Sequence, residues 1–135
     1  MLNELCNYGT FVTIDKPYAE AVDAAKAALK AEGFGVLCEI DIAETLKEKL
    51  GAHTEPYVIL GACNPGLAHK ALQSEPNLGL LLPCNVVVRE NNGTTLVGTI
   101  DAHRMLDVAS NAALEPIAAE AAARLTRVLD RLNKA

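Results

Sequence analysis

The chain has no tryptophan, only two phenylalanines and three tyrosines among 135 residues, and no long hydrophobic run. With aromatics at 4%, it has few rings on which nucleobases could stack. Basic side chains are also in deficit: 12 Lys and Arg face 17 Asp and Glu, a net charge of −5 and the wrong sign for gathering phosphates. No nucleic-acid partner is therefore expected. The longest apolar stretches, residues 57–63 and 78–82, fall far short of the ~20 residues that a membrane-spanning helix needs, so no membrane partner is expected either. The opening MLNELCNYGT lacks the positive, apolar and small-residue zones of a secretory signal, and the default expectation is a cytoplasmic location. Four cysteines, at 6, 38, 63 and 84, are too few for a disulfide-stapled scaffold and none forms a CxxC pair, so reduced thiols are expected. Phosphate loop, nucleophile elbow, dinucleotide fingerprint and metalloprotease patterns are all missing. The sequence names no reaction and leaves the cofactor unknown.

What is present is core material. Half of the residues are apolar and 21% are charged, which at this length fits a single domain over residues 1–135. Residues 9–14 carry Phe11, Val12, Thr13 and Ile14 and read as a first strand ended by Asp15-Lys16-Pro17. Ala21, Val22, Ala25, Ala28 and Leu29 recur at steps of three and four, which predicts a helix over residues 18–32 stopped by Gly33. A second strand follows over 34–40, then a short helix capped by Asp41 and closed by Gly51. Residues 57–63 form a third strand, apolar throughout and so covered on both faces. Asn64-Pro65 opens a helix to about Ser74, with Asn at the cap and Pro at the first helical position. A fourth strand is expected over 78–90, and Asn91-Asn92-Gly93 turns it into a fifth over 94–101. A turn or short helix over 103–109 precedes a final amphipathic helix over about 112–133. The order βαβ(α)β(α)ββα is α+β, a mainly antiparallel sheet with helices on one face. Its other face then needs a cover, for which a second subunit is the economical choice in so short a chain.

Two segments carry the chemistry. Gly61-Ala62-Cys63-Asn64-Pro65 and Leu81-Leu82-Pro83-Cys84-Asn85 each set a thiol beside an Asn at a strand end or interruption. Cys63 stands at the mouth of the helix that begins near Pro65, where unpaired amides and the helix dipole favour thiolate and anions. Cys84 follows Pro83, which opens the ladder locally. If their strands are neighbours, both thiols face one pocket. The competing reading is that both are packing, since free cysteine is among the most buried residue types. Cys6, in a terminal segment expected to be mobile, and Cys38 have no such context. His69, early in the helix after Cys63, is a candidate base or ligand, with a solvated helical His as the alternative. Asp101 with His103 forms an Asp-x-His pair that turn chemistry explains as well as metal binding; Glu39 and Asp41 share a strand face, and His53 is unassigned.

The residues Thr45-Leu46-Lys47-Glu48-Lys49-Leu50-Gly51, the stretch from Pro56 through Cys63-Asn64-Pro65, and Gly79-Leu80-Leu81-Leu82-Pro83-Cys84-Asn85-Val86-Val87-Val88 resemble the signature of the uncharacterised bacterial and archaeal domain-of-unknown-function family 302. The resemblance spans nearly the whole chain and implies a TATA-binding-protein-like α+β fold with a single curved sheet, and a homodimer. It departs at Asp101-Ala102, where the family often has Asp-Pro before a Met-Leu pair. It transfers no activity, and a fold shared with a DNA-binding protein is no warrant for binding DNA. Three functions are consistent with these residues. One is a dimeric binding module whose pocket, lined by Cys63, Asn64, Cys84 and Asn85 with His69 nearby, takes a small anionic or thiol-reactive ligand or a soft metal such as Cu(I) or Zn held by Cys63 and Cys84. Another is a thiol redox protein with Cys63 as nucleophile and Cys84 as resolving thiol. The last is a structural or interaction domain in which both cysteines are packing.

Overall fold

A computed structural model of the chain describes residues 2–133, with side chains from residue 6 onward. Its strands are β1 (Leu2–Cys6), β2 (Gly9–Ile14), β3 (Gly35–Asp41), β4 (Tyr57–Cys63), β5 (Cys84–Asn91) and β6 (Thr94–Ile100). Its helices are α1 (Tyr18–Ala31), α2 (Ile42–Leu50), α3 (Pro65–Ser74), α4 (Ala102–Asp107) and α5 (Glu115–Asn133), with short 3-10 helices at Pro76–Leu80 and Ala112–Leu114. All six strands join one sheet in the order β1-β2-β6-β5-β4-β3, and every neighbouring pair is antiparallel. The fold is α+β.

The local chemistry sets these boundaries. Asn92 and Gly93 sit at φ 52° and 82°, the positive pair that a two-residue hairpin turn demands between β5 and β6. Asp41 accepts from the Glu44 amide at 2.8 Å and caps α2, while Asn64 accepts from the Leu67 amide at 3.0 Å and caps α3 with Pro65 at the first helical position. Two expectations fail. Residues 78–80 are not strand: they lie in the 3-10 helix Pro76–Leu80, and β5 begins only at Cys84, after a cis Leu82–Pro83 bond. A short apolar run carries no period of its own, so it reads equally as strand or as packed turn. The N-terminal segment, expected to be mobile, forms β1 on β2, and the Cys6 Sγ donates to the Gly9 carbonyl at 3.4 Å.

Alternation along the strands sends Val12, Ile14, Val58, Leu60, Ala62, Val86, Val88 and Val97 to one face, where they bury against Ala21, Ala25 and Leu29 of α1 and Leu125, Val128 and Leu132 of α5. The two helices are also tied by charge. Glu32, at the end of α1 and buried, accepts from Arg127 Nε at 2.7 Å and Arg131 Nε at 2.9 Å, and Arg124 Nη1 donates to its carbonyl at 2.8 Å. Those guanidinium hydrogen bonds, Arg127 first, hold the Glu32 carboxyl below its ordinary range. The opposite face carries Phe11, Ile59, Val87 and Arg89. There the Phe11 ring occupies the space above Gly98, and the Arg89 guanidinium lies 5.6 Å from the ring centroid.

A smaller core lies beyond the ends of β4 and β5. Ala71, Leu78, Cys84, Met105, Leu106, Leu114 and Ala118 pack there, drawn from α3, the start of β5, the 3-10 helices, α4 and α5. Asn111 braces it: its side chain accepts from the Ala113 amide at 3.0 Å and donates to the Ser74 carbonyl at 3.1 Å. Among the described residues, no helix is long and apolar enough to cross a membrane.

Candidate functional site

Between the two cores lies a cavity of about 320 Å³. Its sheet side is made by Ala62 and Cys63 of β4 and Cys84 of β5, and its edge by Phe34 and Leu37. Leu67, Ala68, Ala71 and Leu72 of α3 form one wall; Gly79, Leu82 and Pro83, with Met105, Leu106, Ile117 and Ala121, complete it. The register sets Ala62 on the face of Cys84, and Cys63 enters the lining only as the last residue of β4. Ala62 pairs directly with Cys84 across β4 and β5, so Cys63 lies one residue from the position opposite Cys84, at the point where both strands give way to other structure. All four cysteines are free thiols. Cys63 is half-buried and Cys84 is 8% exposed, among the apolar residues of the smaller core. Burial, with a smaller contribution from the nearby Cys63, pushes the Cys84 thiol up to about 11. It is therefore a neutral S–H near neutral pH.

The Asn residues do other work. Asn64 lines the cavity, but its amide is committed at both ends: Oδ1 caps α3 and Nδ2 donates to the Gly33 carbonyl at 3.1 Å. Asn85 does not line the cavity; it is exposed, one residue on from Cys84, because alternation turns it to the other face of the sheet. His69 is likewise exposed and outside the lining, since α3 presents Leu67, Ala68, Ala71 and Leu72 to the cavity and leaves His69 on its solvent side. The sequence pattern missed Met105, Leu106, Ile117 and Ala121, which reach the cavity from the C-terminal third of the chain. Only the apolar stripe of α5 hinted at the last two.

The remaining candidates lie elsewhere, in structural roles. Asp41 caps α2, and Glu39 pairs with Lys26 at 2.9 Å. Asp101 caps α4 by accepting from the Arg104 amide at 3.1 Å, and with the exposed His103 it lines a separate polar cleft of about 250 Å³ against α5. His53 lines a third cleft, of about 390 Å³, with Tyr18, Glu44 and Lys47. Burial first, then Asp41, Glu39 and Glu90, raise the Tyr18 phenol there. Cys38 is exposed, its sulfur over Gly61 on the sheet.

This geometry limits the chemistry. Among the described residues the cavity lining contains no Lys, Arg, His, Asp or Glu, so nothing there compensates an ionic ligand for lost hydration. Among the described residues, no group of three or more His, Cys, Asp or Glu is placed to hold a metal ion, which leaves a tetrahedral zinc site without its donors. What remains is a partly open apolar cavity whose lining includes Cys63, Cys84 and Met105.

Comparison with known proteins gives the same fold. A family model described as "Domain of unknown function DUF302" matches residues 11–132. A crystal structure of an uncharacterized conserved protein DUF302 from Bacillus stearothermophilus superposes with a TM-score of 0.88 at 35% identity, covering 94% of this chain and 99% of that one. Among curated proteins none matches the chain.

Proposed function

The chain belongs to the DUF302 family, a domain of unknown function, and from that premise we propose that it is a small-molecule-binding module whose ligand is uncharged and largely apolar. The observation that carries this reading is the cavity of about 320 Å³, within the usual size range of ligand sites, whose lining includes Cys63 and Cys84 and no charged side chain. Cys63, half-buried in the wall, is the thiol that an occupant would touch and shield. The reading replaces an anionic ligand, for which no cation is at hand. It also sets aside disulfide exchange, since a resolving Cys84 with a pKa near 11 is almost never the thiolate that must attack.

The reading predicts protection. Millimolar 1-adamantanol, a compact apolar probe, is expected to slow alkylation of Cys63 several-fold in the wild type. Ala68→Trp, which fills the cavity from its wall, is expected to abolish the effect. Alkylation by mass-labelled iodoacetamide, read peptide by peptide, measures both. Unchanged Cys63 rates with this probe and with straight-chain probes alike would overturn the site.

The partner proposed for the protein is a second copy of itself. The face not covered by α1 and α5 presents Phe11, Ile59 and Val87, all only half-buried, with Ile40 45% exposed beside them. An apolar sheet face of this kind is stabilised by a matching one across a two-fold axis. Sedimentation equilibrium is expected to give a dimer for the wild type and a monomer for Ile59→Arg. A wild type that stays monomeric at all concentrations removes the partner.

A further inference from the structure

The same cavity says more about the shape of its occupant than its lining alone, and this step rests on reading the cavity as a ligand site. Two of its lining residues, Leu37 and Leu72, are themselves 69% and 38% exposed, so they stand at its mouth rather than in its interior. Leu80 follows the lining residue Gly79 and is 90% exposed. A chain that hides Leu60, Leu78 and Leu114 almost completely thus leaves three leucines in water at or beside one opening. Leu37 owes its place to the irregular register of β3 on β4 between Val36 and Cys38, which takes it out of the alternation that would bury or pair it. The apolar surface therefore does not end where the cavity ends; it continues outward over the rim.

We infer that the ligand is a single straight alkyl or acyl chain, inserted lengthwise, with its polar end left outside in solvent. A compact apolar molecule would use the interior and gain nothing from the rim, whereas a chain contacts both. No hydrogen-bonding group is needed at the closed end, which matches a cavity whose one polar side chain, Asn64, is already satisfied by Leu67 and Gly33. The volume of about 320 Å³ holds at most about ten groups of roughly 30 Å³ each, the share of one water in the liquid, so the cavity takes up to about ten carbons of the chain.

n-Alkyl glucosides from hexyl to dodecyl, kept below their micelle-forming concentrations, are suitable probes because the sugar is too polar and bulky to enter. Titration calorimetry on the full chain is expected to show affinity rising about fourfold per methylene and levelling off near ten carbons. Leu80→Glu, a change at a 90% exposed position outside the cavity lining, is expected to weaken the decyl and dodecyl probes at least threefold while leaving 1-adamantanol unchanged. If adamantanol binds and the glucosides do not, the cavity remains a ligand site and the chain inference falls. If neither binds, both fall. Co-sedimentation with phosphatidylcholine vesicles, without binding of free glucosides, would also overturn the inference, because the leucines would then mark a surface for bilayers rather than for one chain.

Discussion

Raising the pH from 9 to 11 is expected to cost the wild-type protein about 2 kcal/mol more stability than it costs Cys84→Ala, because the thiol's ordinary value of 9.0 is raised to about 11 in the folded chain. The sign follows from proton counting. Between those pH values the unfolded chain has released the Cys84 proton and the folded chain has kept it, so the folded state binds more protons and loses stability as pH rises. Below pH 9 both states are protonated and the contribution vanishes. The Tyr18 phenol is shifted upward as well, so the comparison must be between the two proteins and not between two pH values of one. Urea denaturation midpoints across this range measure the difference, and parallel curves for wild type and Cys84→Ala would show that the sulfur is in contact with water. Alkylation gives a second readout. Near pH 8 a thiol with a pKa of about 11 is about one part in a thousand thiolate, against roughly a tenth for a cysteine at the ordinary value, so Cys84 is expected to label about two orders of magnitude more slowly. Cys84→Ser adds a third: the buried hydroxyl would sit where the thiol makes no hydrogen bond, at a cost of about 1–3 kcal/mol relative to Ala.

How much of this was legible in the sequence depends on whether the signal was local. The hairpin at Asn92-Gly93 and the caps at Asp41 and Asn64 are set by a residue and its neighbours within four positions, and all were readable. The placement of Cys63 beside the start of α3 belongs to the same class. β1 was not readable, because Leu2-Asn3-Glu4-Leu5 has neither β-branched residues nor strict alternation, and its place as an edge strand comes from its pairing with β2. Residues 78–80 misled for the opposite reason: they are apolar enough for a strand, but Leu78 is buried in the smaller core while Gly79 and Leu80 are exposed, a pattern of one turn rather than of a ladder. Asn85 and His69 are close to the cysteines in sequence, but the period of the element decides direction. One step along β5 reverses the face, and two steps along α3 turn by about 200°. Glu32 shows what long range alone decides. Its two arginine partners lie 95 and 99 positions away, and only the docking of α5 against α1 makes it a buried ion.

The cavity wall supplied by α4 is where stability and binding separate most clearly. Leu106 is 5% exposed, lines the cavity and packs in the smaller core. Leu106→Ala is expected to destabilise the protein by about 2–5 kcal/mol, through lost apolar transfer plus a void that the surroundings cannot close. Leu60→Ala, at the centre of the sheet and fully buried, is expected to cost a similar amount. The two differ in where the lost volume goes. At Leu60 it becomes a sealed hole among β4, β5 and α1, but at Leu106 it joins a space that already exists. An apolar occupant should therefore recover stability in Leu106→Ala, by about 2.7 kcal/mol at a free concentration one hundred times its dissociation constant. The preferred chain should also lengthen, since removing three carbons of leucine makes room for about that many of the ligand's. Chemical denaturation with and without decyl and dodecyl glucoside measures this. At one fixed concentration the glucosides are expected to stabilise wild type and Leu60→Ala alike, because Leu60 lies outside the lining, and Leu106→Ala by more, with dodecyl gaining most. Equal stabilisation of all three, or of none, would mean that the chain does not occupy the space that Leu106 borders, and the placement of the ligand between α3, α4 and the cysteine-bearing strand ends would be wrong.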